Sequence, residues 1–443
     1  MNKLKTISLQ GKEYAQVPER VKYFNSNNPN GSIVTKPKIE GEGLAFRAYI
    51  YPDVKNMNRK FTGHSFGKLT GEKALEKLEC VPLSTQILTR EGFKFYHEIK
   101  VGEDVLTYNL KEDKNEWQKL EKVSVYKNAS LVKMSSSRFS AVFTQDHKWV
   151  VDNGKTKKLI PFNEIELKKG NNKIILSASE EVAKGDEDAS RLAWLFTDGY
   201  LRYTEDMLPT NSLIKQSKKN EIKKLKALFG EPTSIKHFDN WKDSNEWYIN
   251  ADEVRRILGK YKVRTYKDLP NAVSKMSTSD VKMFYQSAMD ADGYDTGFAK
   301  TYYEIIEAVQ ICCARLGIKT NKIYTREFDN STKPIYILPI HKGNGAYTNQ
   351  LKIKNMPPAD VWCPTVKNGT WVAKQNGQVW ITGNTVAVGR ALAFMGIMAD
   401  GGIASKEEMD KFKEAEPFKG DEFKKEMRKI EKKQNIAPPL STR

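Results

Sequence analysis

The pattern of apolar and polar positions changes character several times along the chain. Through residues 1–79, short alternating stretches such as Leu44 to Tyr51 are separated by turn residues, Asn28-Pro-Asn-Gly31 among them, and predict a small sheet. From Cys80 the texture is short strands and tight turns: Thr85 to Thr89, a turn at Glu91-Gly92, Val105 to Tyr108 and Phe143 to Val151, an all-β segment. Near Arg191 a helical period takes over, and strand texture returns from Asp360 to Thr382. From Ser405, with Glu408 completing a capping box, a charged and solvated helix is expected to run into a disordered end.

The helical stretch repeats itself. Arg191-Leu-Ala-Trp-Leu-Phe-Thr-Asp-Gly199 matches Tyr285-Gln-Ser-Ala-Met-Asp-Ala-Asp-Gly293. Each copy precedes an amphipathic helix that ends in glycine, Lys219 to Gly230 with Ile222, Leu225 and Phe229, and Tyr302 to Gly317 with Ile306, Val309, Cys313 and Leu316. Two copies of one α/β unit are the simplest explanation. With 443 residues the chain is too long for a single core, so several domains are expected.

A net charge of +18 makes a polyanion the first partner to consider, nucleic acid before membrane. The four cysteines, Cys80, Cys312, Cys313 and Cys363, give no disulfide framework, which fits a reducing cytoplasm. The longest apolar stretch, near Ala391 to Ala399, is too short to span a bilayer, so no membrane is expected.

Four separated segments then carry a resemblance. Cys80-Val-Pro-Leu-Ser-Thr-Gln-Ile-Leu-Thr-Arg-Glu-Gly92, Phe143-Thr-Gln-Asp-His-Lys-Trp149, Val361-Trp-Cys-Pro-Thr-Val366 and Val379-Trp-Ile-Thr-Gly-Asn-Thr385 resemble, in order, the blocks of inteins. The resemblance implies a Hint-type domain that excises 80–384 and joins Glu79 to Thr385. Cys80 would attack the Glu79 carbonyl, with Thr144 orienting the scissile bond and His147 polarising or protonating its nitrogen as an imidazole titrating near neutrality. Thr385 would take over the acyl group and Asn384 would cyclise to release the intein. Cys363 would tune the thioester, assist cyclisation or simply pack.

Two departures stand out: Gly383 occupies the usual place of a histidine before Asn384, and the stretch around Trp371 lacks a second histidine common in that region. The set Trp149, Cys363 and Thr382 also resembles an intein class that uses this internal cysteine as nucleophile, but that class lacks the first cysteine, which this chain keeps.

The repeated segment resembles the two-copy LAGLIDADG homing endonucleases. The likeness implies that Asp198 and Asp292 meet at the centre and bind Mg²⁺ for cleavage of double-stranded DNA at an intein-free host gene. Asp290 is expected to cap or support its helix, and Lys215, Lys218, Lys219, Lys223 and Lys224 would contact phosphate or form a solvated face.

The fold expected is multidomain: an all-β Hint splicing domain, discontinuous over 80–185 and 346–384, with an inserted α+β duplicated LAGLIDADG domain over 186–345. The pair interrupts a small α+β host domain made of 1–79 and 385–443. Across the joint the sequence reads as one helix-like segment from Leu78-Glu79 to Thr385-Val-Ala-Val-Gly-Arg-Ala-Leu-Ala393. With Tyr14 to Arg20 and Asn28 to Ile33, the host resembles phage single-stranded-DNA-binding and annealing proteins of recombination. The alternatives are Hedgehog-type autoprocessing without ligation, against which Asn384-Thr385 argues, and a nucleic-acid-binding protein whose insert is inactive in splicing.

Overall fold

The computed structural model describes residues 24–40, 43–56, 58, 61–68 and 79–383, except 169, 171, 182–184, 239–241 and 328–332, and the short strands at 7–9 and 12–14. Asn384, Thr385, the joined helix-like segment beyond Glu79 and the tail from Ser405 lie outside the described residues. The chain divides into two compact units, 1–33 with 50–61 and 387–443, and 34–49 with 62–386. In the first, Ile7–Leu9 pairs antiparallel with Lys12–Tyr14, and Gly31 N–H closes the Asn28 turn at 2.8 Å. Ser32–Glu40, Gly43–Tyr51 and Phe61–Lys68 form the small sheet expected from their alternation.

From Cys80 the second unit is built of antiparallel strands. One sheet runs Lys114–Lys119, Asp104–Asn109, Gln86–Thr89, Thr370–Gln375, Gln378–Gly383, so the beginning and the end of the 80–383 segment share a sheet. A second places Lys122–Ser136 between Phe139–Thr144 and Lys352–Thr365, with Val81–Pro82 on the far edge. The alternation of Phe139–Thr144 turns Phe139, Ala141 and Phe143 inward against Trp149 and Trp380, where edge-to-face ring contacts fill the core. The stretch expected as one strand from Phe143 to Val151 is two, Phe139–Thr144 and Lys148–Asp152, with a turn closed by the His147 N–H on the Thr144 carbonyl at 3.0 Å. That turn sets Thr144 and His147 on the same end of the sheet.

The helical region holds α1 (Glu187–Phe196), α2 (Lys219–Phe229), α3 (Ala251–Lys260), α4 (Leu269–Lys275), α5 (Thr278–Asp292) and α6 (Tyr303–Leu316). Asp186 and Ser277 cap α1 and α5, their side chains accepting from the N–H groups of Asp188 and Asp280. The two helices carry the repeated segments and pack together, with Ser190 Oγ 3.4 Å from the Met283 carbonyl. Each leads into its own antiparallel sheet. The first runs Gly199–Tyr203, Pro209–Gln216, Ser244–Ile249, Ser234–Lys236; in the second, Gly293–Tyr294, Gly297–Lys300 and Ile335–His341 are joined by Lys319–Thr320 and Tyr324–Arg326. Gly199 and Gly293 lie so close against the carbonyls of Leu195 and Met289, four residues back, that a Cβ at either would collide with backbone.

One apolar core runs through strands and helices alike. Leu88, Leu106, Tyr108, Val372, Val379 and Ile381 of the strand region pack in the same cluster as Leu192, Leu195, Phe284, Val309 and Cys312 of the helices. Polar contacts reinforce it: Gln310 of α6 donates to the Gly377 carbonyl at 2.9 Å, Ile323 N–H to the same oxygen at 3.2 Å, and Asn115 to the Ala314 carbonyl at 3.0 Å. Buried Arg315 grips Glu180 through two bonds, at 2.6 and 2.9 Å, and donates to the carbonyls of Val273 and Met276.

Candidate functional site

The Glu79–Cys80 peptide is buried, and the turn after Phe139–Thr144 brings polar groups to it. The Cys80 N–H donates to Thr144 Oγ1 at 2.9 Å, and the Thr144 N–H returns a bond to the Cys80 carbonyl at 3.1 Å. On the other side of the peptide, the Cys363 thiol donates to the Glu79 carbonyl at 3.2 Å. Cys363 reaches that oxygen because Val361 and Trp362 pair with Pro82 and Val81. Both ends of one amide are therefore polarised by side chains drawn from segments far apart in sequence.

The Cys80 thiol is held well above its ordinary pKa, first by its hydrogen bond with Cys363, then by burial and by the charges of Cys363 and Glu79. Cys363 packs beside Cys80, Ala129, Leu131 and Val361, and bonds the Glu79 carbonyl as well.

His147 is completely buried, and Trp149 packs edge-on against its ring at 5.5 Å. Its Nε2 is bonded to the Thr382 hydroxyl, and its Nδ1 makes no hydrogen bond of good geometry. Burial pushes the imidazole down to about 3; the Glu79 backbone opposes that shift and the Lys148 ammonium adds to it. This corrects the expectation of a ring titrating near neutrality: an imidazolium stripped of water is too costly until charge develops beside it. It is Thr144 that holds the Cys80 N–H, while Thr382 holds the imidazole.

The C-terminal end of the segment arrives at the same place. Gln378–Gly383 pairs with Thr370–Gln375 in register Trp371↔Thr382 and Thr370↔Gly383, and every residue of both strands is buried. The Trp371 indole N–H donates to the Gly383 carbonyl at 3.2 Å, so the tryptophan found where a histidine was looked for supplies a donor. A Cβ at Gly383 would stand 2.5 Å from the Lys148 carbonyl oxygen, which explains why glycine and no histidine occupies this position. Lys148 meets residue 79 too: its ammonium lies 3.0 Å from the Glu79 carboxylate, whose side chain is 0% exposed. Nothing in the sequence singled out Lys148 or the donor role of Trp371.

A second cluster lies at the C-terminal ends of α1 and α5. Asp198 is pushed up to about 6, by burial first and by the neighbouring Asp292 charge second, against the opposing effects of Lys300, Lys218 and Gln216. Gln216 donates to Asp198 at 2.8 Å, and Lys300 reaches both Asp292, at 2.5 Å, and the Thr197 carbonyl, at 2.8 Å. Gln216 and Lys300 end the second strand after their respective aspartates, so they are equivalent positions of the two copies. Sequence reading missed both.

Two carboxylates whose mutual repulsion raises one of them suit a hard divalent cation, which takes oxygen ligands and leaves places for water and phosphate. Among the described residues no cluster of three or more His, Cys, Asp or Glu side chains forms a fuller cage. Asp290 pairs with Lys224 at 2.7 Å, tying α5 to α2. Lys215 likewise pairs with Glu246 at 3.2 Å.

No protein-family model and no curated protein matches the chain. Among solved structures, a splice-inactive, glutathione-linked variant of the AceL NrdHF class 3 split intein is 8% identical, covering 70% of this chain and 99% of that one at a TM-score of 0.29. A variant of the Ssp DnaB mini-intein is 10% identical over 69% and 99% at 0.25. I-DmoI, in complex with DNA and Ca, is 13% identical over 35% of this chain and 83% of that one at 0.25. Likenesses this distant leave the site's own geometry to decide what it does.

Proposed function

We propose that the chain is a self-splicing precursor that excises 80–384 and joins Glu79 to Thr385, and that the inserted helical region is a metal-dependent DNA endonuclease. One observation carries the splicing reading: residues 79–80 and 382–383, some three hundred positions apart in sequence, converge on the single turn Thr144 to Lys148. A reaction that cuts at two places and joins the outer ends needs both junctions in one site.

In the first step Cys80 Sγ attacks the Glu79 carbonyl carbon, the C–N bond breaks, and the thiol proton ends on the freed amine. The Cys363 S–H draws charge onto the carbonyl oxygen, and Thr144 aligns the N–H that must leave. His147, neutral at rest, is a strong acid once protonated, because the burial that disfavours the imidazolium drives its proton towards the departing nitrogen. The Thr385 hydroxyl then attacks the thioester, returning a proton to the Cys80 sulfur. Asn384 cyclises through its side-chain nitrogen and breaks its bond to Thr385, whose new amine captures the acyl group from its own oxygen. Trp371 fixes the Gly383 carbonyl from which Asn384 extends.

In the helical region Asp198 and Asp292 would hold Mg²⁺, which supplies activation of water and stabilisation of the leaving oxygen on phosphate. Gln216 and Lys300 orient the two carboxylates. The DNA is the intein-free host gene around the codons for Glu79 and Thr385.

A second route is favoured by the Cys363 thiol's position on the scissile carbonyl: Cys363 could take the acyl group first. Mass spectrometry of freshly expressed chain tests the proposal. Free 80–384 together with 1–79 joined to 385–443 is the expected result, and an intact chain or a single cut would falsify it. Loss of ligation in Cys80→Ala assigns the first attack to Cys80; retention assigns it to Cys363.

A further inference from the structure

The residue before the scissile bond belongs to the host, yet its side chain is enclosed by the splicing region. Glu79 is 1% exposed overall, and its carboxylate faces the Lys148 ammonium at 3.0 Å. A carboxylate so far from water needs compensation by charge, and Lys148, itself only 20% exposed, supplies it. We infer that Lys148 forms a carboxylate-binding subsite that selects an acidic residue immediately upstream of the cleaved peptide bond, so that the insert splices efficiently only after glutamate or aspartate. This rests on the splicing reading and adds to it a requirement placed on the host.

Three features of the surroundings support selection over incidental pairing. Lys148 follows His147 directly and opens the Lys148–Asp152 strand, whose pairing with Lys157–Pro161 fixes where the lysine stem begins. Its main chain abuts Gly383, so the lysine cannot retreat without disturbing the other junction. The charges around it also balance: an unpaired Lys148 would stand beside the buried His147 ring, and an unpaired Glu79 beside the Cys80 thiol. A neutral residue at 79 leaves the ammonium partly desolvated without a partner, and a basic residue sets two cations against each other in one enclosure.

The experiment uses the full chain carrying Asn384→Ala, in which the thioester at Glu79 is intercepted by added dithiothreitol and the released 1–79 fragment is timed. Residue 79 is varied as Glu, Asp, Gln and Lys, each combined with Lys148, Lys148→Met and Lys148→Glu. With Lys148 present, Gln at 79 should release about tenfold more slowly than Glu, and Lys about a hundredfold more slowly, as expected for breaking an enclosed charge pair. Lys148→Glu should reverse the order, and Glu79→Lys with Lys148→Glu should recover to within about fivefold of the parent, since the pair is restored in the opposite sense. Lys148→Met should flatten the preference. Because the preference at 79 is read as a ratio within each Lys148 background, a general loss of folding cancels there, and only the swapped pair is compared with the parent across backgrounds. A preference for Glu at 79 that persists unchanged in Lys148→Met and Lys148→Glu, or a swapped pair no faster than its slower single variant, overturns the subsite. Absence of any thiol-dependent release from the parent Glu79, Lys148 chain removes the splicing reading itself, which separates the two failures.

Discussion

Placing a histidine at position 383, where the resemblance in sequence leads one to look for it, should damage this protein instead of helping it. In Gly383→His, and equally in Gly383→Ala, the new Cβ meets the Lys148 carbonyl oxygen at 2.5 Å, the Lys148 Cβ at 2.7 Å and its carbonyl carbon at 2.9 Å, whereas ordinary contact begins at 3.4 Å. The obstacle is backbone in a paired strand, so one chain must move by roughly 1 Å. Overpacking of this kind costs about 1–3 kcal/mol. The same movement pulls the Gly383 carbonyl from Trp371, and a lost hydrogen bond adds about 1 kcal/mol. A total of roughly 2–4 kcal/mol should lower Tm by about 2–4 °C for each kcal/mol. Calorimetry in a Cys80→Ala, Asn384→Ala background measures this without interference from splicing. Release of the C-terminal host segment in a Cys80→Ala chain reports the chemistry, and both substitutions should slow it. Faster release in Gly383→His at an unchanged Tm would refute the steric argument.

Three further outcomes follow from the geometry. With glycine at 383, Asn384 cyclisation should be the slow step, so a branched species should accumulate in a time course on denaturing gels and persist in Asn384→Ala; a course that passes from precursor to ligated host alone contradicts it. The neutral buried ring of His147, with a pKa of about 3 against about 6.5 when unfolded, contributes stability that is complete above about pH 6.5 and is lost as the pH falls towards 3, because the unfolded chain binds the extra proton in that window. Thermal melts of the Cys80→Ala, Asn384→Ala chain should show a shallower acid limb when His147 is replaced by glutamine, and an identical limb would count against the assignment. Asp198→Asn and Asp292→Asn should each abolish Mg²⁺-dependent cleavage of the intein-free gene while leaving DNA binding; cleavage at parent rate by either variant excludes the paired carboxylates.

What could be read in the sequence was what has a period or a covalent signature. The helices from Lys219 and from Tyr303 were legible because apolar residues fall on one face and a glycine closes each. Asn250 ahead of Val254, Ile257 and Leu258 gave a comparable signal for α3 that went unused, whereas α4, buried through most of its length, has no contrast between faces to detect. Cys80, Thr144, His147 and Thr382 could be named from their blocks, but their pairing could not. That the Cys80 N–H goes to Thr144 and the imidazole to Thr382 is decided by the turn at 145–147 and by strand register. Lys148 was invisible among many lysines because its meaning comes only from facing a buried carboxylate. Gln216 and Lys300 could have been found by extending the internal repeat past its helices to the ends of the second strands.

The core shared by strands and helices bears on how such an insert persists through time. Cutting out residues 186–345 would leave Leu88, Tyr108, Val372 and Ile381 facing water and would remove Gln310 from the hairpin turn that precedes Gly383. On the proposed reading Asp198 and Asp292 can decay without harm to splicing, but the folded body of 186–345 cannot be shed in one deletion unless the exposed face is made polar at the same time. Shortened descendants of this chain should therefore carry polar replacements at Leu88, Val372 and Ile381, and a trimmed version made in the laboratory will need the same changes to stay soluble.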